Sequence, residues 1–196
     1  MNRLFVYLLL LAGVSSMLIG CAAPAVEAET NNVNVATSQT LEFDMAEDFT
    51  QFVFNTDIAR EDGFPAHGSA FITQGYLYPV NTLDGTNGVN PDGSPEFPDK
   101  VIGTWICRGW IYGDIDNEDG LPTAVTTQIF ELNEAYGNKT IITDGFEYMA
   151  PGSIFSRAII GGTAEYRGVR GEQTQEILGI NEFMGMSMRF TLQLNQ

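Results

Sequence analysis

The chain has 196 residues, with 25 acidic side chains against 9 Lys and Arg, which gives a formal net charge of −16. Such an acidic surface repels phosphate backbones, so we exclude nucleic acid as an expected partner. The length and the 44% hydrophobic content suit a single domain with a substantial core.

The N-terminal segment has the features of a bacterial export signal. One positive charge, Arg3, precedes an apolar run over residues 4–12 that is too short to cross a bilayer as an ordinary helix. The segment ends in Leu-Ile-Gly-Cys21, which resembles the lipobox of bacterial lipoproteins. We expect residues 1–20 to be a lipoprotein signal peptide, with lipid chains such as palmitate on Cys21. A plain secretory signal with a chance cysteine is the alternative.

This interpretation places the protein in the cell envelope, anchored in the outer membrane or at a periplasmic face. Two or more acyl chains hold a protein stably at a membrane, whereas one chain is marginal. Residues 21–40 carry no aromatic side chain and no periodicity, which is typical of a flexible tether. The folded domain is expected over residues 41–196.

Beyond residue 40 the apolar residues alternate with polar ones, and Gly, Pro, Asn and Asp separate the runs. No stretch of ten residues forms a convincing amphipathic helix. The pattern predicts an all-β domain, and closure into an eight-stranded antiparallel β-barrel removes the exposed edges that a sandwich would leave. The predicted strands cover residues 48–55, 69–78, 101–112, 123–132, 139–148, 153–161, 168–178 and 183–194.

The strand over residues 101–112 is apolar on both faces. One face carries Trp105, Cys107 and Ile111, and the other carries Ile102, Ile106, Trp110 and Tyr112. Only one face can line a small barrel, so the other face predicts contact with another subunit in a homo-oligomer.

Several polar features are weighed against simpler interpretations. If Cys21 is acylated, Cys107 has no partner for a disulfide, and we expect a small buried side chain rather than a reactive thiol. His67 is the only histidine, which removes a His-based zinc site, and no metal is expected. The acidic segment 114–120 lacks EF-hand spacing, so a polar hairpin loop is favoured over calcium. The long connection over residues 79–100 predicts a lid or an interface arm.

A glycine-rich motif near the C-terminus gives a family resemblance. The segment from Gly161 to Gly171 matches the pattern G-G-[ST]-x-x-[FY]-x-G-x-x-G at every fixed position. It resembles the signature of plant dirigent proteins and allene oxide cyclases. The resemblance implies an eight-stranded barrel with an apolar cavity, usually assembled as a trimer. It also implies hydrophobic small molecules as partners and no metal or organic cofactor.

The resemblance also suggests site residues. Arg170 matches the arginine of the dirigent motif, although Ala164 stands where some dirigent proteins carry an acidic residue. A surface arginine paired with Glu172 or Glu165 is the alternative for Arg170. Cys107 and Tyr148 lie in strands similar to those that carry the pocket cysteine and tyrosine of the cyclases, and Trp105 is expected beside Cys107 in the cavity. For a strand-one carboxylate the candidates are Glu42 and Asp57.

Three functions remain open from the sequence. The first is a membrane-anchored barrel that binds or steers a hydrophobic small molecule. The second is an isomerase or cyclase for an unsaturated lipid-like substrate, with Arg170 and Tyr148 as acid-base groups. The third is a structural envelope protein with a solid core. The interior of the barrel distinguishes the third from the other two.

Overall fold

A computed structural model of the chain describes residues 38–112, 123–132, 138–148 and 150–195. Eight antiparallel strands follow one another around a closed barrel, and β8 pairs with β1 to complete it. The predicted all-β barrel is confirmed. The strands are β1 Ser38–Phe54, β2 Ala70–Pro79, β3 Gly103–Tyr112, β4 Thr123–Leu132, β5 Thr140–Tyr148, β6 Ile154–Gly162, β7 Arg170–Ile180 and β8 Met186–Asn195.

Three short 3-10 helices lie between the strands, at Thr56–Ile58, Pro98–Lys100 and Ala164–Tyr166. Among the described residues, no helix has the length and apolar character needed to span a bilayer. The fold therefore depends on strand pairing and on the side chains that the barrel encloses.

The first strand is much longer than predicted. The sequence pattern placed it at residues 48–55, whereas β1 begins at Ser38. Its early half was missed because Asp44, Glu47 and Asp48 are carboxylates, yet all three are buried. Asp44 accepts hydrogen bonds from Arg189 Nε at 2.8 Å and from the backbone N–H of Leu83 at 3.1 Å, so its burial is compensated.

The connection over residues 79–100 covers the outside of β1 and β2. Leu83 and Val89 pack there with Ala46 and Tyr78 in a second small core. Tyr78 donates its hydroxyl hydrogen to the Gly88 carbonyl at 2.6 Å. This arm lies against the barrel wall and contributes no residue to the cavity described below.

The glycine-rich motif forms the turn that the sequence predicts. β6 ends at Gly162, the ring of Tyr166 is buried beneath the turn, and β7 begins at Arg170. Gly171 has φ +147°, and a Cβ there would collide with the Gln193 carbonyl of β8. Glycine is therefore required at this position of β7.

Alternation in β3 orients its two faces as expected. Trp105, Cys107 and Ile111 are buried in the barrel, while Trp110 and Tyr112 are 58% and 55% exposed. Phe146 of β5 is also exposed, and its ring centroid lies 5.9 Å from that of Tyr112. The described residues thus leave an aromatic patch on the outside of β3 to β5.

Candidate functional site

One end of the barrel holds a cavity of about 290 Å³. Residues 60–65 and 180–186 surround its mouth, and the later half of β1 forms one wall. β1 begins at the opposite end of the barrel, where Ser38 pairs with Asn195. The volume is close to the lower end of the range for small-molecule sites, about 300 Å³.

The wall of the cavity is mainly apolar. The register between β1 and β2 shifts after Asp48, which lets Phe49 and Phe52 lean over the cavity. These two rings stack with centroids 5.2 Å apart, and Phe52 also packs on Phe71 at 5.7 Å. The other apolar side chains that line the cavity are Phe64, Pro65, Trp105, Ile111, Ile180, Met184 and Met186.

A buried carboxylate, Glu47, reaches the cavity from β1. Its side chain accepts a hydrogen bond from Thr73 Oγ1 at 2.7 Å and one from the backbone N–H of Met186 at 2.8 Å. The pKa of Glu47 is nevertheless raised from 4.5 to about 7, mainly by burial and with smaller contributions from the nearby carboxylates of Glu147 and Asp48. Near neutral pH this group can both hold and release a proton.

A second buried carboxylate, Glu147 of β5, lines the same cavity. It pairs with the guanidinium of Arg157, whose Nη1 lies 3.3 Å from Glu147 Oε1. Arg157 is fully buried and also donates to the hydroxyl and the carbonyl of Thr126, at 2.6 Å and 2.7 Å. A buried charge of each sign, with hydrogen bonds to both, meets the condition under which such pairs are tolerated.

Three glutamines extend this polar group across β4 and β7. Gln128 donates to Glu147 and, at 2.9 Å, to the side-chain oxygen of Gln175. Gln173 donates to the side-chain oxygen of Gln128 at 2.7 Å. A connected network of this kind fixes the orientation of the Glu147 carboxylate beside the cavity.

Cys107 and Trp105 lie side by side on β3 and both line the cavity. The thiol of Cys107 donates to Glu147 Oε2 at 3.8 Å, and burial raises the thiol pKa, so the protonated form is favoured. The indole N–H of Trp105 is buried and has no hydrogen-bond partner among the described residues. It is a donor left open in the wall of the site.

The structure does not bring Arg170 and Tyr148 together. β5 and β7 run in the same direction, and Tyr148 ends β5 whereas Arg170 begins β7, so the two lie at opposite ends of the barrel. Neither belongs to the cavity lining. The Arg170 guanidinium donates to the Val169 carbonyl at 2.7 Å. Of the two surface partners considered for Arg170, Glu165 forms an ion pair with Lys139 at 2.7 Å, and Glu172 accepts a hydrogen bond from Ser156 at 3.0 Å.

The other polar candidates also lie away from the cavity. Glu42 and Asp57 are exposed, and His67 is exposed with its ring 6.4 Å from that of Tyr112. Among the described residues, no group of three or more His, Cys, Asp or Glu side chains is placed to hold a metal ion. Cys21 and the acidic segment 114–120 lie outside the described residues.

Sequence reasoning missed Glu47 and Glu147, the two buried carboxylates that line the cavity. Each occupies the inward position of its strand, in phase with Met45 on β1 and with Thr143 on β5, both of which are fully buried. The available signal was this phase: a carboxylate at a core position of a strand is either satisfied by partners or functional.

Comparisons with known proteins identify solved structures with a similar fold. No protein-family model matches the sequence, and no curated protein matches it. Among solved structures, a pterocarpan synthase dirigent protein superposes with a TM-score of 0.56 at 13% identity, covering 82% of this chain and 91% of that chain. A pyocyanin demethylase gives a TM-score of 0.51 at 18% identity, covering 80% of this chain and 99% of that chain.

A Diels-Alderase from Streptomyces koyangensis also superposes, with a TM-score of 0.51 at 14% identity, covering 84% of this chain and 70% of that chain. At these identities the likeness concerns the fold. The predicted resemblance is confirmed at that level: this chain folds into an eight-stranded barrel similar to those of the dirigent protein and the Diels-Alderase.

Proposed function

We propose that the barrel binds a hydrophobic small molecule in the cavity that Glu47 and Trp105 line. The observation that carries this proposal is an apolar cavity of about 290 Å³ with a few convergent polar groups. Apolar walls supply binding free energy, and a small number of placed polar groups fix the orientation of a ligand. The fold supports the same function, because solved structures with this barrel include a dirigent protein and a Diels-Alderase.

The interior argues against a purely structural barrel. One part of it is solid, since the rings of Phe43, Phe130 and Phe190 pack with centroids 5.0 to 5.9 Å apart. Another part opens into the cavity. A protein that needed only a stable core would gain from filling that space with apolar side chains.

We expect a neutral fluorescent probe, phenylnaphthylamine, to bind in the cavity, and Ile111→Trp to reduce its affinity at least about tenfold. Ile111 is buried in the lining, so an indole there occupies ligand volume. The matched control is Ile154→Trp, because Ile154 is 65% exposed and lies outside the lining. Titration monitored by probe fluorescence tests this. Equal affinity in both variants would place the probe elsewhere.

A second candidate function is proton transfer, in an isomerisation or cyclisation of an unsaturated lipid-like substrate. Glu47 favours it, because a carboxyl pKa of about 7 beside an apolar cavity suits a general acid or base. Incubation with a lipid extract of the host, followed by chromatography and mass spectrometry, checks it. The candidate predicts products of unchanged mass with the wild-type protein and none with Glu47→Gln. Identical extracts from the two incubations would reject it.

We also propose that the protein is a lipoprotein of the cell envelope, acylated at Cys21. The lipobox-like motif that ends at Cys21 supports this. In the bacterial host, labelled palmitate is expected on the wild-type protein and on Cys107→Ser, and to be absent from Cys21→Ser. Label that persists in Cys21→Ser would contradict the anchor.

The exposed aromatic patch supports a further part of the proposal, a cyclic homo-oligomer, most simply a trimer. Within the described part of the chain, Trp110, Tyr112 and Phe146 are exposed, and the arm over residues 79–100 covers a different face. Sedimentation of the chain without residues 1–21, which lacks both the apolar signal segment and the acylated cysteine, is expected to give three times the mass of a single chain. Trp110→Lys with Phe146→Lys is expected to give monomers. A wild-type monomer at micromolar concentration would contradict assembly.

A further inference from the structure

The charges inside the barrel do not balance. Among the described residues, two buried carboxylates line the cavity, Glu47 and Glu147, and one buried cation, Arg157, contacts that lining. Arg157 is committed to Glu147, at 3.3 Å. At the mouth, Arg60 and Asp62 pair with each other at 2.8 Å. Of the carboxylates that line the cavity, Glu47 is therefore the one that no described cation neutralises.

Among the described residues, those that contact Glu47 donate hydrogen bonds to it but carry no positive charge. Thr73 on β2 and the backbone N–H of Met186 on β8 donate to it. The titratable groups that face it are Cys107 on β3, Glu147 on β5 and Asp48 on its own strand. A proton or a positively charged ligand is thus needed to make this part of the cavity neutral.

The walls of the cavity suit a positively charged organic group. Phe49, Phe52, Phe64, Phe71 and Trp105 line it, and the faces of aromatic rings attract cations. The protein as a whole carries a net charge of −16, which raises the concentration of cations near its surface and repels anions. Three independent features therefore favour the same sign of ligand charge.

We propose that the occupant of the cavity is a lipophilic organic cation, an amine or a quaternary ammonium group on an aromatic or aliphatic body, and that Glu47 is its counter-ion. This inference rests on the proposed binding function and names the chemical class of its ligand. Glu47 determines specificity by excluding anions and by favouring cations over neutral molecules of the same shape. The hydrophobic body of the ligand occupies the aromatic part of the cavity.

This assignment has a consequence for pH. In the empty cavity a proton neutralises Glu47, whose pKa is about 7. A bound cation replaces that proton, so its affinity increases as the pH rises through this value. A neutral ligand gains nothing from the deprotonated form, and its affinity stays nearly constant.

The experiment compares three probes that share one aromatic body: naphthylmethyl trimethylammonium, naphthylmethanol and naphthoate. The quaternary ammonium has no titratable proton, so any pH dependence belongs to the protein. Calorimetric titration of the full chain carrying Cys21→Ser is performed at about pH 5.5 and about pH 8.5. Glu47→Gln is the test variant. Glu172→Gln, at an exposed position of β7, controls for the change in net charge.

The affinity of the ammonium probe is expected to rise at least about tenfold between the two pH values, while that of the alcohol changes less than about twofold. At the higher pH, the carboxylate probe is expected to bind most weakly of the three probes. Glu47→Gln is expected to remove the preference for the cation and to retain binding of the alcohol, whereas Glu172→Gln keeps the wild-type pattern.

Equal binding of the ammonium and the alcohol at both pH values would overturn the inference and leave the binding function intact. Failure of all three probes to bind would reject both. The pH series on the protein with Glu47 intact does not depend on any cavity variant, so misfolding of Glu47→Gln leaves the test valid.

Discussion

Replacing Glu47 with glutamine is expected to raise the free energy of unfolding by about 2 kcal/mol above neutral pH and to change it little in mild acid. Burial raises the pKa of this carboxyl from 4.5 to about 7. Between these values the folded chain holds a proton that the unfolded chain has released, so stability falls as the pH rises across this window. Above this window, the buried charge of Glu47 lowers the free energy of unfolding of the wild type by about 3 kcal/mol. The variant avoids this cost but loses a hydrogen bond, so its net gain is smaller.

Urea denaturation at about pH 5 and about pH 8 measures this difference. Glu172→Gln is the control. The Glu172 carboxylate is exposed, so replacing it should change the free energy of unfolding little at either pH. A Glu47→Gln protein that is less stable than wild type at the higher pH would show that the negative charge is favourable in the fold. That result would remove the argument for an uncompensated carboxylate in the cavity.

Removing the cation of the buried pair is expected to have a larger effect in the opposite direction. Arg157→Met should destabilise the protein by about 3 to 5 kcal/mol, because Glu147 then stays buried without a counter-charge. Adding Glu147→Gln to Arg157→Met should recover more than half of the lost stability. The amide introduced at position 147 can still accept hydrogen bonds from Gln128 and Gln175.

Equilibrium unfolding of the wild type, both single variants and the double variant gives the coupling energy between the two positions. Additive effects would mean that Arg157 stabilises the barrel through its bonds to Thr126 and not through its charge. In that case Glu147 would require a different partner to explain its burial.

The barrel was predictable because β2 to β8 are short, alternating and separated by turn residues. Trp105, Cys107 and Ile111 could be assigned to one face because the side-chain period of a strand is two. The glycine motif could be interpreted because Gly171 occupies a position that excludes a side chain. These features are local in sequence, and local patterns survive folding when tertiary contacts agree with them.

The site was less predictable because closure of the barrel creates it. Glu47 and Glu147 lie a hundred positions apart in the chain, and only the arrangement of β1 and β5 brings both to one cavity. A polar side chain at an inward position also interrupts the alternation of apolar and polar residues by which a strand is recognised. Three fully buried glutamines do this: Gln128, Gln173 and Gln175. Partners supplied by distant strands satisfy these groups, and the sequence alone does not identify those partners.

The central claim, that the cavity binds a small molecule, can be tested by the NMR signal of the Trp105 indole N–H. The chain contains two tryptophans, Trp105 in the cavity wall and Trp110 on the outer face of the same strand. In a ¹⁵N-resolved spectrum their indole N–H signals are separate reporters, and Trp110→Phe assigns them. Titration with naphthylmethanol is expected to shift the Trp105 signal saturably and to leave that of Trp110 in place. A shift of Trp110 alone, or of neither signal at saturating probe, would contradict the account.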